Sequence, residues 1–178
     1  MTATANTPAP PVNIDFRALA EGDLPLIGTW LATPHVARWW GDVDESLAEI
    51  RLGMAEPTTE QYLILFDGQP VGYIQSYDIH GEGNHPYNDQ PLGTIGLDLS
   101  IGDPALVGRG YGPQIIAAFV ARLFAAGAPR VVIDPDPTNA RAILAYAKAG
   151  FTPIGERTSI YGPALLMVRD RDNDTRVT

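Results

Sequence analysis

The stretch GTIGLDLSIGDPALVGRGYG, residues 93 to 112, holds two features that could do chemistry together. The first is Asp98, a carboxylate set within a run of Ile95, Leu97, Leu99 and Ile101. With residues 92 to 101 extended, Leu92, Thr94, Gly96, Asp98 and Ser100 share one face. Gly93, Ile95, Leu97, Leu99 and Ile101 share the other, because successive strand side chains alternate. Asp98 therefore lies on the smaller, more polar face, which suits either a solvated sheet face or an open groove. The second feature is Gly108-Arg109-Gly110-Tyr111-Gly112, which follows that strand and opens a helix. Glycines let the backbone aim its amides at an anion, and a helix N-terminus adds positive dipole; a pyrophosphate fits such a turn. An ordinary strand-to-helix connection can use the same glycines. The spacing is neither the dinucleotide-binding G-x-G-x-x-G nor a Walker loop with its Gly-Lys-Ser/Thr. A carboxylate ten residues before the first glycine would lie close to whatever a phosphate-bearing cofactor delivers.

Other residues with chemical potential lie further off. Asp134 ends the short run RVVID. Asn139 and Tyr146 are seven apart in TNARAILAYAKAG, two turns along one helix face, where they could serve a ligand or be a cap and a core tyrosine. Trp39 and Trp40, in PHVARWWGD, could form a ring-stacking wall or anchor the core; one of the two is expected to meet a ligand. His35, His80 and His85 lack metal-ligand spacing and there are no cysteines, so no metal site, thiol nucleophile or disulfide is expected.

The elements that must position these groups alternate in type. NIDFRAL reads as a strand, and EGDLPLIGTWLATPHVARWW as one or two short helices with Asp23 as N-cap before Pro25. DESLAEIRLGMA is an amphipathic helix opened by acidic residues. EQYLILFDGQPVGYIQSYDI is a hairpin turning at Asp67-Gly68, and HGEGNHPYNDQP is a loop. After the strand at 92–101 come a helix from Gly110 to Ala126, the strand RVVID, and a helix stopped by Gly150. FTPIGERTSI and PALLMVRD are closing strands. The order is that of one mixed α/β domain over residues 13–170, with flexible tails at 1–12 and 171–178.

Composition bounds the partners. The 178 residues carry 21 acidic and 12 basic side chains, a formal charge of −9. Phosphate-backbone binding needs a basic face, so nucleic acid is not an expected partner; a cationic substrate suits the charge, as does simple solubility. The start MTATANTPAPP lacks a signal-peptide pattern, and no apolar run is long enough to span a bilayer, so the expectation is a cytoplasmic protein without a membrane partner.

Taken together the motifs resemble the GNAT superfamily of acyl-CoA-dependent N-acetyltransferases. Its glycine loop, R/Q-x-x-G-x-G/A, is matched at Gly110 and Gly112, with Val107 in place of the Arg or Gln. Its N-x-x-A-x-x-x-Y-x-K-x-G-F pattern is matched through Asn139, Ala142, Tyr146, Lys148, Gly150 and Phe151. HVARWWG, GQPVGYIQSY, GLD, the DPxPxN turn and GPALLM resemble the aminoglycoside 6′-N-acetyltransferases over most of residues 14 to 170. The loop GEGNHPYNDQ lacks the tryptophan pair and acidic run of some of those proteins, and Tyr161 stands where some carry aspartate. The resemblance implies a central, mostly antiparallel mixed sheet flanked by helices and an acetyl-CoA co-substrate without a metal. It implies direct acetyl transfer to a primary amine of an aminoglycoside, by a monomer or homodimer. Asp98 would then be the amine's base and Tyr146 would meet the leaving thiolate. Leu99, Ile101, residues 108 to 112 (Gly108, Arg109, Gly110, Tyr111, Gly112) and Asn139 would hold the cofactor. Trp39, Trp40, Gln75, Asp98 and Asp134 would hold the acceptor. IGDPALVGRGYG also resembles the hydroxamate-siderophore acyltransferases, which acylate a hydroxylated lysine. That branch usually carries histidine at the position of Asp98 and often glutamate at that of Asp134. A non-catalytic module that binds aminoglycoside or acyl-CoA is the third reading.

Overall fold

The computed structural model describes residues 11–81, 83–159 and 161–171. The expected tails at 1–12 and 171–178 lie almost wholly outside the described residues. Strand β1 (Ile14–Ala18) leads through a short 3₁₀ turn into helices α1 (Leu24–Leu31), α2 (Pro34–Trp40) and α3 (Val43–Gly53). Strands β2 (Thr59–Phe66), β3 (Gln69–Asp78) and β4 (Ile95–Ile101) form a meander. Then follow α4 (Tyr111–Ala125), β5 (Arg130–Ile133), α5 (Ala140–Lys148), β6 (Thr152–Ser159) and β7 (Gly162–Asp170). The seven strands make one sheet ordered β1-β2-β3-β4-β5-β7-β6.

Local chemistry explains the boundaries. The β2–β3 hairpin turns where expected, with Asp67 and Gly68 both at positive φ, 48° and 83°. Strand β4 is shorter than its alternation suggests, because Gly93 sits at φ 83° and the Thr94 amide and hydroxyl both donate to the Pro91 carbonyl. Leu92 and Thr94 therefore belong to a turn, and the shared polar face begins at Gly96. Asp23 does not cap α1 through its side chain. Its carboxylate instead accepts the Ala20 amide at 2.9 Å and pairs both terminal nitrogens of Arg17, closing the turn ahead of the helix.

The sheet separates two packed layers. On one face α4 and α5 cover a core containing Ile64, Ile74, Leu97, Phe119 and Met167, and Ile95, Leu99 and Ile101 pack against it. On the other face α1–α3 cover Leu63 and Tyr73 with Ile27, Trp30 and Ile50. The alternation seen in β4 thus has a physical basis, since its apolar residues serve the first core and Asp98 projects to the side of the second. A third cluster, under the β3–β4 connection, joins Ile79 and Tyr87 to Val132, Leu166 and Val168.

One irregularity of the sheet positions the site. Every neighbouring pair of strands is antiparallel except β4 and β5, which run parallel and pair only at Ile95↔Val131 and Gly96↔Val132. Past Gly96 the two strands part. The β5-facing edge of β4 from Leu97 to Ile101 consequently borders a cleft rather than another strand.

Candidate active site

Two adjoining cavities open from this gap. The first, about 310 Å³, lies between the end of β4, the glycine turn and α5. Leu99, Ile101, Gly108, Gly110, Gly112, Asn139 and Tyr146 line it, which brings together most of the residues expected to hold a cofactor. Gly110 is the N-cap of α4 at φ 85°, Gly108 lies at φ 77°, and no atom stands within 4 Å of where a Cβ on either would be. First-turn amides of a helix have no carbonyl partner within the helix, so this open turn offers donors to an anion. The Ile101 carbonyl is taken by His35, 2.8 Å from Nε2, which must carry the proton because a carbonyl can only accept. Ile101 is thus a wall of the cavity rather than a source of a free carbonyl.

Two residues of the expected cofactor turn, 108–112, keep their side chains outside the cavities. Tyr111 is buried in the core with its ring 4.9 Å from that of Phe66, and Arg109 is exposed; neither borders either cavity. The spacing held the signal. Tyr111, Ile115 and Phe119 are four apart and so continue one core-facing row of α4. Sequence reasoning also passed over Arg141, and the lysine of its matched motif, Lys148, which bring two cations to the first cavity from α5. Arg141, Ala145 and Lys148 follow the i, i+4, i+7 spacing of one helix face.

The second cavity, about 580 Å³, lies between α2, α3, β4 and the end of β5. Trp39, Trp40, Gln75, Asp98 and Asp134, the residues expected at an acceptor, all border it, and Asn139 and Tyr146 border both cavities. Four carboxylates, Glu49, Asp98, Asp134 and Asp136, meet one guanidinium, Arg38, so the cavity favours cations. The two tryptophans differ in their surroundings. Trp40 packs edge-on against Tyr73 of the α1–α3 core, whereas Trp39 is 36% exposed and carries Arg38 over its ring. Tyr161 also borders this cavity, and its hydroxyl lies 3.4 Å from the Glu49 carboxylate of α3.

Asp98 is held by a polar ladder across three strands. Strand register sets Gln61 opposite Gln75 and Gln75 opposite Asp98. Gln75 Nε2 donates to Asp98 at 2.8 Å, while Gln75 Oε1 accepts from the Tyr73 hydroxyl at 2.7 Å and from Gln61 Nε2 at 3.3 Å. The Tyr73 phenol stays protonated because burial, with the Asp98 charge added, pushes its pKa far up. Gln75 is therefore committed at both ends of its amide, and it orients Asp98 within the cavity.

Tyr146 is buried, and its hydroxyl bonds to no other described residue. Burial first, then the charges of Asp98 and Asp134, push its pKa well above that of an ordinary tyrosine, so it keeps its proton throughout the neutral range. Asp134 is raised by burial as well, opposed by a hydrogen bond from Tyr87 and by His85. Asp136 at the rim is lowered by the Thr138 hydroxyl and amide. Asn139 caps α5, its Oδ1 accepting the Ala142 amide at 3.2 Å. That cap fixes the side chain at the junction of the two cavities. Among the described residues no group of three His, Cys, Asp or Glu could hold a metal ion, and no helix is long and apolar enough to cross a membrane.

The arrangement can receive an anion-bearing molecule on one side and a cation on the other, with Asp98 and Tyr146 at the boundary. Comparison with known proteins agrees. Residues 20–159 match the model of the acetyltransferase (GNAT) domain. The chain is 32% identical to the aminoglycoside N(6′)-acetyltransferase type 1 of Klebsiella pneumoniae, over 89% of this chain and 84% of that one. It is 30% identical to the lysine N-acyltransferase MbtK of Mycolicibacterium paratuberculosis, over 84% of this chain and 73% of that one. A crystal structure of the aminoglycoside acetyltransferase AAC(6′)-Ib with coenzyme A and kanamycin superposes with a TM-score of 0.84 at 30% identity. The superposition covers 93% of this chain and 99% of that one.

Proposed function

The chain belongs to the GNAT acetyltransferase family, and from that premise we propose that it transfers the acetyl group of acetyl-CoA directly to the 6′-amine of an aminoglycoside. The observation that carries the acceptor is the second cavity, where four carboxylates and an exposed tryptophan face one arginine. A sugar bearing several ammonium groups complements such a surface. A hydroxylated lysine offers fewer cations for the same carboxylates.

Each step falls to residues of the two cavities. The glycine turn at 108–112 and the cations of α5 hold the cofactor's phosphates, and the open edge of β4 holds its arm. Asp98 accepts the proton that the acceptor's ammonium must lose before its nitrogen can attack. The new bond joins that nitrogen to the acetyl carbon, and the bond broken is carbon to sulfur. Tyr146 gives its proton to the departing thiolate. The second proton, shed by the acylated nitrogen as it becomes an amide, restores the Tyr146 hydroxyl, so that the proton held by Asp98 is the one released to solvent. Asp134 and Asp98 fix the acceptor electrostatically, so part of the acceleration comes from holding amine and thioester together.

Thiol release from acetyl-CoA, followed with kanamycin, tobramycin and N-hydroxylysine as separate acceptors, tests the reading. Release with an aminoglycoside is expected. Release with N-hydroxylysine alone would assign the chain to siderophore acylation, and tight aminoglycoside binding without release would make it a binding module.

A further inference from the structure

Among its described residues the connection between β3 and β4 contains neither strand nor helix, yet it places a buried tyrosine behind the acceptor cavity. Tyr87 is 2% exposed, packed among Ile79, Val132, Leu166 and Val168. His85 lies edge-on to its ring at 5.1 Å and accepts the Tyr87 amide through Nδ1. Tyr77 also packs against His85, with ring centroids 5.7 Å apart. The Tyr87 ring is thus anchored by its own loop and by β5 and β7. Its hydroxyl reaches a carboxylate 47 positions away and donates to Asp134 Oδ2. Asp134 borders the acceptor cavity and Tyr87 does not.

We propose that Tyr87 is a positioning residue of the acceptor site, holding the Asp134 carboxylate in the orientation that meets an ammonium group of the acceptor. The proposal rests on reading the cavity as a polyamine site. An aspartate has two side-chain torsions, and a carboxylate offers about four lone-pair directions. A donor fixed to one oxygen from behind leaves the remaining directions for a cation. The bond also favours the charged form of a group that burial disfavours. The other ionisable groups around the pair are His85 on the same loop, Asp98 on β4, Tyr146 on α5 and Arg157 on β6. Of these, His85 assists ionisation of Asp134, and Arg157 acts on Tyr87. The loop read from sequence only as a connection thereby becomes part of the acceptor machinery.

Tyr87→Phe keeps the ring in its cluster and removes only the donor. Three measurements on the full chain test it: steady-state thiol release with kanamycin, acetyl-CoA affinity by calorimetry, and the titration of the Asp134 carboxyl by ¹³C NMR. Loss of a hydrogen bond to a charged group predicts a rise of roughly tenfold or more in the KM for kanamycin. Both kcat and acetyl-CoA affinity should stay within about twofold, which marks lost binding rather than lost chemistry. The Asp134 midpoint should move to higher pH. In an Asp134→Asn background the tyrosine substitution should add nothing, because the two residues act as one unit. An unmoved midpoint, or a normal KM in Tyr87→Phe beside a raised KM in Asp134→Asn, overturns the proposal while leaving the cation site intact. A normal KM in Asp134→Asn removes the cation site itself, and the proposal with it.

Discussion

Replacing Asp98 with asparagine separates the two things this carboxylate is assigned to do. The side chain keeps its outline, and its amide oxygen can still accept from Gln75 Nε2, now 2.8 Å from Asp98. Leu97 and Leu99 keep the strand seated in the core from the opposite face. The variant should therefore fold. Loss of a general base costs about 10²–10⁴ in rate, or about 2.7–5.4 kcal/mol of barrier at about 1.36 kcal/mol per decade. Loss of the charge acts on the bound acceptor instead. An ammonium at about 4 Å in an effective dielectric near 20 interacts by roughly 4 kcal/mol before screening. Asp134 shares the cavity, so part of that attraction survives the substitution. Hence kcat should fall by roughly a hundredfold or more, and the KM for kanamycin should rise by roughly tenfold. Acetyl-CoA affinity should not change. The assay is thiol release at saturating acetyl-CoA with kanamycin varied, beside a thermal melt that checks the fold. A folded variant whose kcat stays within about threefold of the natural chain refutes the base. An unchanged KM as well would remove Asp98 from the acceptor site.

Other expectations address the remaining parts. Tyr146→Phe should slow turnover by roughly tenfold or more through loss of the proton donor, with acetyl-CoA affinity by calorimetry intact. Gly110→Ala forces a side chain into the left-handed region at φ 85°, costing about 1–2 kcal/mol, and should weaken acetyl-CoA binding more than kanamycin binding. Asp23→Ala removes the acceptor for the Ala20 amide and should lower the melting temperature by about 2–4 °C, as loss of a cap worth about 1 kcal/mol does in a domain of this size. The Arg17 guanidinium holds the Asp23 pKa below the usual carboxylate range, so this contribution is complete above the unfolded value and fades as pH falls through the lower folded one. The melting difference between Asp23→Ala and the natural chain should accordingly close in acid.

The acceptor side was more legible in the sequence than the cofactor side, for physical reasons. The period of two in β4 placed Asp98 opposite the core, and the pairing of β3 with β4 set Gln75 beside it. The i, i+7 spacing put Asn139 and Tyr146 on one face of α5, where both meet the two cavities. The cleft itself depends on β4 and β5 parting after two paired positions, a tertiary property that no local pattern encodes. Arg109 and Tyr111 were expected at the cofactor through the backbone amides of their turn; the Tyr111 side chain belongs to the core row of α4 with Ile115 and Phe119. Tyr87 carried no signal, since a tyrosine in a polar loop gains meaning only from Asp134, which the fold brings to it.

The central step proposed for this protein is the movement of an acetyl group from sulfur to one amine of an aminoglycoside. Mass spectrometry and NMR of kanamycin incubated with acetyl-CoA and the protein measure that transfer directly. One acetyl group per kanamycin, on the 6′-nitrogen and equal in amount to the thiol released, is the predicted product. Thiol release that leaves kanamycin unmodified, or acetylation at a different amine, would contradict it.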